Sequence, residues 1–207
     1  SEIAIHEIGH SFASLKDEYW AGDGFAAERA NMTKQTDPQQ VKWKNWYGEN
    51  GIGIFQHCCG GTSALWYRPH ENCKMRSLNN PFCSVCREQT VESIHLKVAT
   101  PVLSFSPANT TVLPTAFPLK FELDLLKPNP NTLNLNWLLN GQNLDEKSDS
   151  LLLDAADLNP GLNSLSVFIE DTSQLLRVDN HSNIHLYTVA WTINYSPSGV
   201  PKINAST

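Results

Sequence analysis

Two histidines four residues apart, with a glutamate between them, constrain this chain more than any other feature. In His6-Glu7-Ile8-Gly9-His10, that spacing puts both imidazoles on one face of a helix, one turn above the other. Ile5, Ile8, Phe12 and Leu15 recur at three- and four-residue intervals around the motif, which predicts an amphipathic helix over residues 2–14. On such a helix His6 and His10 can chelate one zinc ion, with Glu7 beside them to take a proton from water. Two histidines and a water need a third protein ligand. Asp17, seven residues after His10, is the first candidate, because the helix has to stop near Ala13-Ser14 and the chain turn back. Glu18 is the local alternative and Glu28 the distant one.

The rest of the chemistry is unevenly distributed. Residues 1–99 hold all 5 Cys and five of the 7 His, with 10 Lys+Arg against 11 Asp+Glu. Residues 100–207 hold 5 Lys+Arg against 10 Asp+Glu, no Cys, and only His181 and His185. This is a two-domain pattern with its boundary near Ala99-Thr100-Pro101. The net charge of −6 comes mostly from the second half and argues against a nucleic-acid partner, which would need a basic stripe. No apolar run reaches the roughly 18 residues of a membrane-spanning helix.

In the second half, Leu133, Leu135 and Trp137 alternate with Asn134 and Asn136, and Asn140-Gly141 follows as a turn. Leu165, Val167 and Ile169 alternate in the same way, as do Tyr187, Val189, Trp191 and Ile193. Period-2 runs broken by Asn, Pro and Gly predict strands with one buried face. Their number and spacing predict an antiparallel, immunoglobulin-like β-sandwich, with no catalytic constellation in it. In the first half a second helix is predicted over residues 82–98, and the stretch past Trp20 is irregular.

The run HEIGHSFASLKDEYW, then Asn31-Met32-Thr33, VKWKNW, GIGIF, WYRPHENCKMRS and FCSVCRE, occur in an order that resembles the bacterial IgA metalloendopeptidase family. That family looks like a branch of the metzincin clan. The resemblance covers residues 1 to about 98 and implies a secreted or cell-surface zinc endopeptidase acting on proteins or peptides. It implies His6, His10 and Asp17 as zinc ligands and Glu7 as general base and acid. It also implies Met75 as the methionine beneath the metal. Tyr67 is a candidate transition-state stabiliser, and a packed aromatic is its plainer reading. Arg68 suits an internal salt bridge better than a substrate carboxylate.

Two departures from the family's pattern bear on shape. Ser14 stands where the family usually has Gly, at the sharp turn before the Asp ligand; serine does not tolerate positive φ as glycine does. Gln56-His57-Cys58-Cys59 replaces an acidic, Gly- and Tyr-rich stretch. An oxidising exterior predicts that the cysteines pair, tying the Met75 loop to the second helix; a structural zinc site is the alternative. The Asn-x-Ser/Thr sites, Asn31 among them, suit an exposed exterior.

The expected architecture is therefore α+β and multi-domain. It has the lower half of a metzincin-like catalytic domain (1–99) followed by the sandwich (100–207). In metzincins a substrate-binding sheet precedes the motif helix. The chain is thus expected to be a fragment or to need an N-terminal partner, to expose the apolar face of that helix, and to cleave poorly alone. The competing function is a non-catalytic adhesion or binding module that retains a metal site.

Overall fold

The computed structural model describes residues 1–197 and divides into two compact units. The first comprises Ser1–Val98 together with Gln174–Asp179, a segment that returns from far along the chain. The second comprises Ala99–Ser173 and the chain from Asn180 onward.

The first unit is built on two helices, α1 (Glu2–Ser11) and α2 (Ser84–Lys97), and one short antiparallel pair, β1 (Phe55–Gln56) with β2 (Tyr67–Arg68). Ser1 caps α1, its hydroxyl accepting from the Ala4 N–H at 3.4 Å, and this satisfies one of the free donors of the first turn. The helix stops at Ser11, three residues short of the expected end, because Ser14 takes a left-handed backbone at φ 55°. The Leu15 N–H then reaches back to the Gly9 carbonyl at 3.0 Å.

The core of this unit lies beneath α1 and holds Leu15, Val41, Trp43, Trp46, Met75 and Val85. His6 and Gly9 are the buried residues of α1, while Ile3, Ile5 and Ile8 are 58 %, 41 % and 53 % exposed. The apolar side of the helix is thus the one left open. The returning segment adds Arg177, whose guanidinium lies 4.1 Å from the centre of the Trp46 ring and pairs with Glu49 at 2.7 Å.

The second unit is β-rich. Its strands are β3 (Val102–Ser106), β4 (Thr111–Val112), β5 (Leu119–Leu125), β6 (Leu133–Leu139), β7 (Gln142–Asn143), β8 (Ser150–Leu153), β9 (Gly161–Asp171) and β10 (Leu186–Tyr195). They form two sheets, ordered β4-β10-β9-β6-β7 and β3-β5-β8. Leu135, Trp137, Leu165, Val167, Val189 and Trp191 of the larger sheet share one core with Phe121, Leu123, Leu151 and Leu153 of the smaller.

Trp137 and Trp191 stack at 6.0 Å with their planes 9° apart. Asn140 and Gly141 both have positive φ, as a tight two-residue hairpin turn between β6 and β7 requires. The pairing is not wholly antiparallel, because β4 runs parallel to β10 with Thr192 opposite Thr111 and Ile193 opposite Val112. β3 and β4, joined by residues 107–110, belong to different sheets, and β4 lies at the edge of the larger one.

Candidate metal centre and active site

On α1 the four-residue spacing sets the rings of His6 and His10 edge to face, their centres 4.8 Å apart. Each Nδ1 lies against a backbone carbonyl, His6 on Lys74 at 3.0 Å and His10 on Leu15 at 2.8 Å. A carbonyl only accepts, so each Nδ1 carries the proton and each Nε2 is the ring nitrogen left to face a metal. These two Nε2 atoms are 3.1 Å apart, and each is 3.1 Å from Asp17 Oδ1. These three atoms form a group that could hold a metal ion. Ligand atoms about 2.0–2.1 Å from a tetrahedral zinc stand about 3.3 Å from each other, so the donor set fits that ion. Exposure of the side chains rises from 7 % at His6 to 17 % at Asp17 and 29 % at His10, so the cluster opens towards His10.

The carboxylate arrives by way of the turn at Ser14 and is held there by Asn31. This fully buried side chain accepts from the Lys16 N–H at 2.9 Å and donates to the Lys16 carbonyl at 2.7 Å and to Glu18 Oε1 at 3.1 Å. Asn31 is therefore an internal clamp rather than an exterior residue. Its part was not visible in the sequence, where Asn-Met-Thr signals nothing about a loop fifteen residues away.

Met75 is fully buried, and a Cβ built on Gly9 would meet its Sδ at 2.7 Å. Its neighbour Lys74 supplies the carbonyl that orients His6, and its own carbonyl accepts from the Glu18 N–H at 2.7 Å. One short loop thus orients a ligand, underlies the helix and fastens the strand of chain that carries Asp17.

Glu7 is exposed and lines an open groove of about 240 Å³ with Ile3, His6, Tyr19, Arg76 and Leu78. Tyr19 lies near Asp17, and partial burial, then the Asp17 and Glu7 charges, raise its pKa. The sequence reading passed over Tyr19, although it stands two residues from the candidate ligand. Tyr67 sits on β2, where its backbone pairs with Thr33.

The two alternative carboxylates are engaged elsewhere. Glu28 pairs with Lys42 at 2.6 Å and accepts from Thr33 and Lys34. Glu18 is wholly buried beside Asn31 and Cys86, and burial pushes its carboxyl and the Cys86 thiol up. Arg68 is buried, donates to the Gln56 and His57 carbonyls, and lies 3.9 Å from Glu71.

The cysteines differ from the expected pairing. Cys58 and Cys59 are bonded to each other, while Cys73, Cys83 and Cys86 are buried free thiols. The sulfurs of Cys73 and Cys86 are 3.6 Å apart, too far for a disulfide, so no covalent bridge ties the Met75 loop to α2.

Residues 1–52, the stretch that carries both histidines, Glu7 and Asp17, match the family model described as IgA Peptidase M64. Over that stretch the chain is similar to a peptidase family. The match ends before Met75 and before the first cysteine, Cys58. No curated protein matches the chain. Among solved structures it is similar to the Bacteroides ovatus mixed-linkage glucan utilization locus protein SGBP-B in complex with a mixed-linkage heptasaccharide, at 11 % identity and a TM-score of 0.29. That alignment covers 41 % of this chain and 19 % of the other, so the chain spans under a fifth of that protein's length. At that score neither fold nor ligand transfers. No helix among the described residues is long and apolar enough to cross a membrane.

Proposed function

We propose that the chain carries the metal centre of an extracellular zinc endopeptidase. The observation that carries this reading is the convergence of His6 Nε2, His10 Nε2 and Asp17 Oδ1 at mutual distances of 3.1 Å, with both Nδ1 atoms committed to carbonyls. The family match over the same residues supports it.

His6, His10 and Asp17 would hold the zinc, which when bound supplies Lewis acidity to a scissile carbonyl and to water. Glu7, one residue after His6 and open to the groove, accepts the proton from the attacking water. It then returns that proton to the departing amine. The Tyr19 phenol, near Asp17, is the proton-bearing donor at the groove. Met75 and Gly9 keep the floor of the site packed and dry.

The open face of Ile3, Ile5 and Ile8 supports a further wall to the cleft, contributed by more of the catalytic domain or by an N-terminal partner. The β-rich unit fits an immunoglobulin-like accessory module that positions substrate or attaches the enzyme to a surface.

Glu7→Gln in the full-length gene product tests the reading. Zinc content should stay that of the parent while hydrolysis of a protein substrate falls by at least 10²-fold, the lower end of what a general base contributes. Unchanged hydrolysis in E7Q, or none in the parent protein with zinc bound, would favour a binding module instead.

A further inference from the structure

A second cluster of donors lies inside the first unit and takes no part in the chemistry above. Glu18, Cys73, Cys83 and Cys86 are all buried, and one ligand atom from each lies within 4.8 Å of the other three. They come from three stretches of chain: Glu18 from the turn after α1, Cys73 from the Met75 loop, and Cys83 and Cys86 from the start of α2.

Their geometry is that of ligands rather than of partners in a bond. Cys86 Sγ is 3.6 Å from Cys73 Sγ and 3.3 Å from Glu18 Oε1. A tetrahedral zinc with Zn–S of about 2.3 Å and Zn–O of about 2.0 Å separates sulfur from sulfur by about 3.8 Å and sulfur from oxygen by about 3.5 Å. A disulfide would need about 2.05 Å.

Two further observations point into the same space. Glu18 Oε2 is buried without a hydrogen-bond partner, which is costly for a carboxyl group unless a cation satisfies it. Cys83 is the N-cap of α2, yet its side chain makes no capping bond. The surroundings also suit thiolates. The Cys83 N–H donates to Cys73 Sγ at 3.4 Å, and α2 directs its positive end at the cluster.

We propose that Glu18, Cys73, Cys83 and Cys86 bind a structural zinc ion, separate from the centre at His6, His10 and Asp17. Four protein ligands and full burial leave no open position, so this ion does no chemistry on substrate. Binding releases the thiol protons to solvent and forms four coordinate bonds, with no change of oxidation state. The ion fastens both halves of the neighbouring site, since Glu18 adjoins Asp17 and Cys73 lies two residues before Met75. The expected tie between the Met75 loop and α2 is then a metal clip in place of a disulfide.

The test loads the full chain with zinc under mild reduction, removes free metal, and measures zinc per chain by elemental mass spectrometry. The parent protein should hold two equivalents, and His6→Ala/His10→Ala and Cys83→Ser/Cys86→Ser should each hold one. Because the cysteine variant can fail to fold, cobalt is also substituted into the folded His6→Ala/His10→Ala protein. A thiolate-to-cobalt charge-transfer band and one bound equivalent are expected there. No metal in that variant, cobalt without sulfur ligation, or one titratable thiol per denatured chain in place of three would overturn the proposal.

Discussion

At the scale of single residues, Ser14 shows a local conflict that the fold overrides. The turn that delivers Asp17 needs a left-handed residue, and a side chain there costs about 1–2 kcal/mol relative to its right-handed alternative. Ser14→Gly removes that cost and loses part of the gain to the greater freedom of glycine in the unfolded chain. The expected net is a stabilisation of about 0.5–1 kcal/mol, seen as a raised thermal midpoint with the zinc content of the parent. An unchanged or lowered midpoint would show that the serine is not strained. The strain was legible in the sequence, because a turn had to occur between His10 and Asp17 and no glycine was there to make it. Asn31 and Tyr19 were not legible, because each acts across a tertiary contact that no local pattern announces.

At the scale of elements, the helices and the longer strands followed from periodicity, although the core selects the apolar face only in the strands and α1 leaves Ile3, Ile5 and Ile8 exposed. The histidines of α1 could be read from their spacing alone. The short β1–β2 pair could not, and it brings a third histidine into play. His57, at the end of β1, is buried, and its pKa is lowered to about 4, by burial first and then by the nearby Arg68 charge. In the unfolded chain an imidazole titrates near 6.5. Between those values the unfolded state binds more protons than the folded one, so stability is full above about pH 6.5 and is lost as the pH falls towards about 4. Denaturant unfolding of His57→Gln between pH 7 and 4 should show a shallower fall in stability than the parent. Equal slopes would contradict the account. The same logic explains the cysteines: spacing alone does not distinguish a thiol pair to be oxidised from one that faces a common third sulfur.

At the scale of the whole molecule, the division of cysteine and histidine between the halves was readable from composition, and both donor clusters found among the described residues lie in the first unit. The return of Gln174–Asp179 to that unit was not readable, because it depends on one short segment, with Leu176 buried, far from its partners in sequence. Arg177 is its anchor: the side chain stacks on Trp46 and pairs with Glu49, while its backbone N–H donates to Glu88, which also accepts from Trp46 Nε1 at 2.9 Å. Arg177→Ala should destabilise the first unit by about 1–2 kcal/mol, the sum of a cation–π contact and a partly exposed ion pair. The midpoint of the tryptophan fluorescence transition checks this, and an unshifted midpoint would mean that the segment adds no stability. The β-rich unit, with Trp137 and Trp191 stacked in its core, should keep its own transition in that variant.

The account as a whole stands on one metal position. Anomalous diffraction at the zinc edge from crystals of the zinc-loaded protein measures it directly. The expected result is a peak about 2.0–2.2 Å from His6 Nε2, His10 Nε2 and an Asp17 carboxylate oxygen. A zinc-loaded crystal with no peak among those three atoms, or with Asp17 turned away from the metal and another residue in its place, would contradict it.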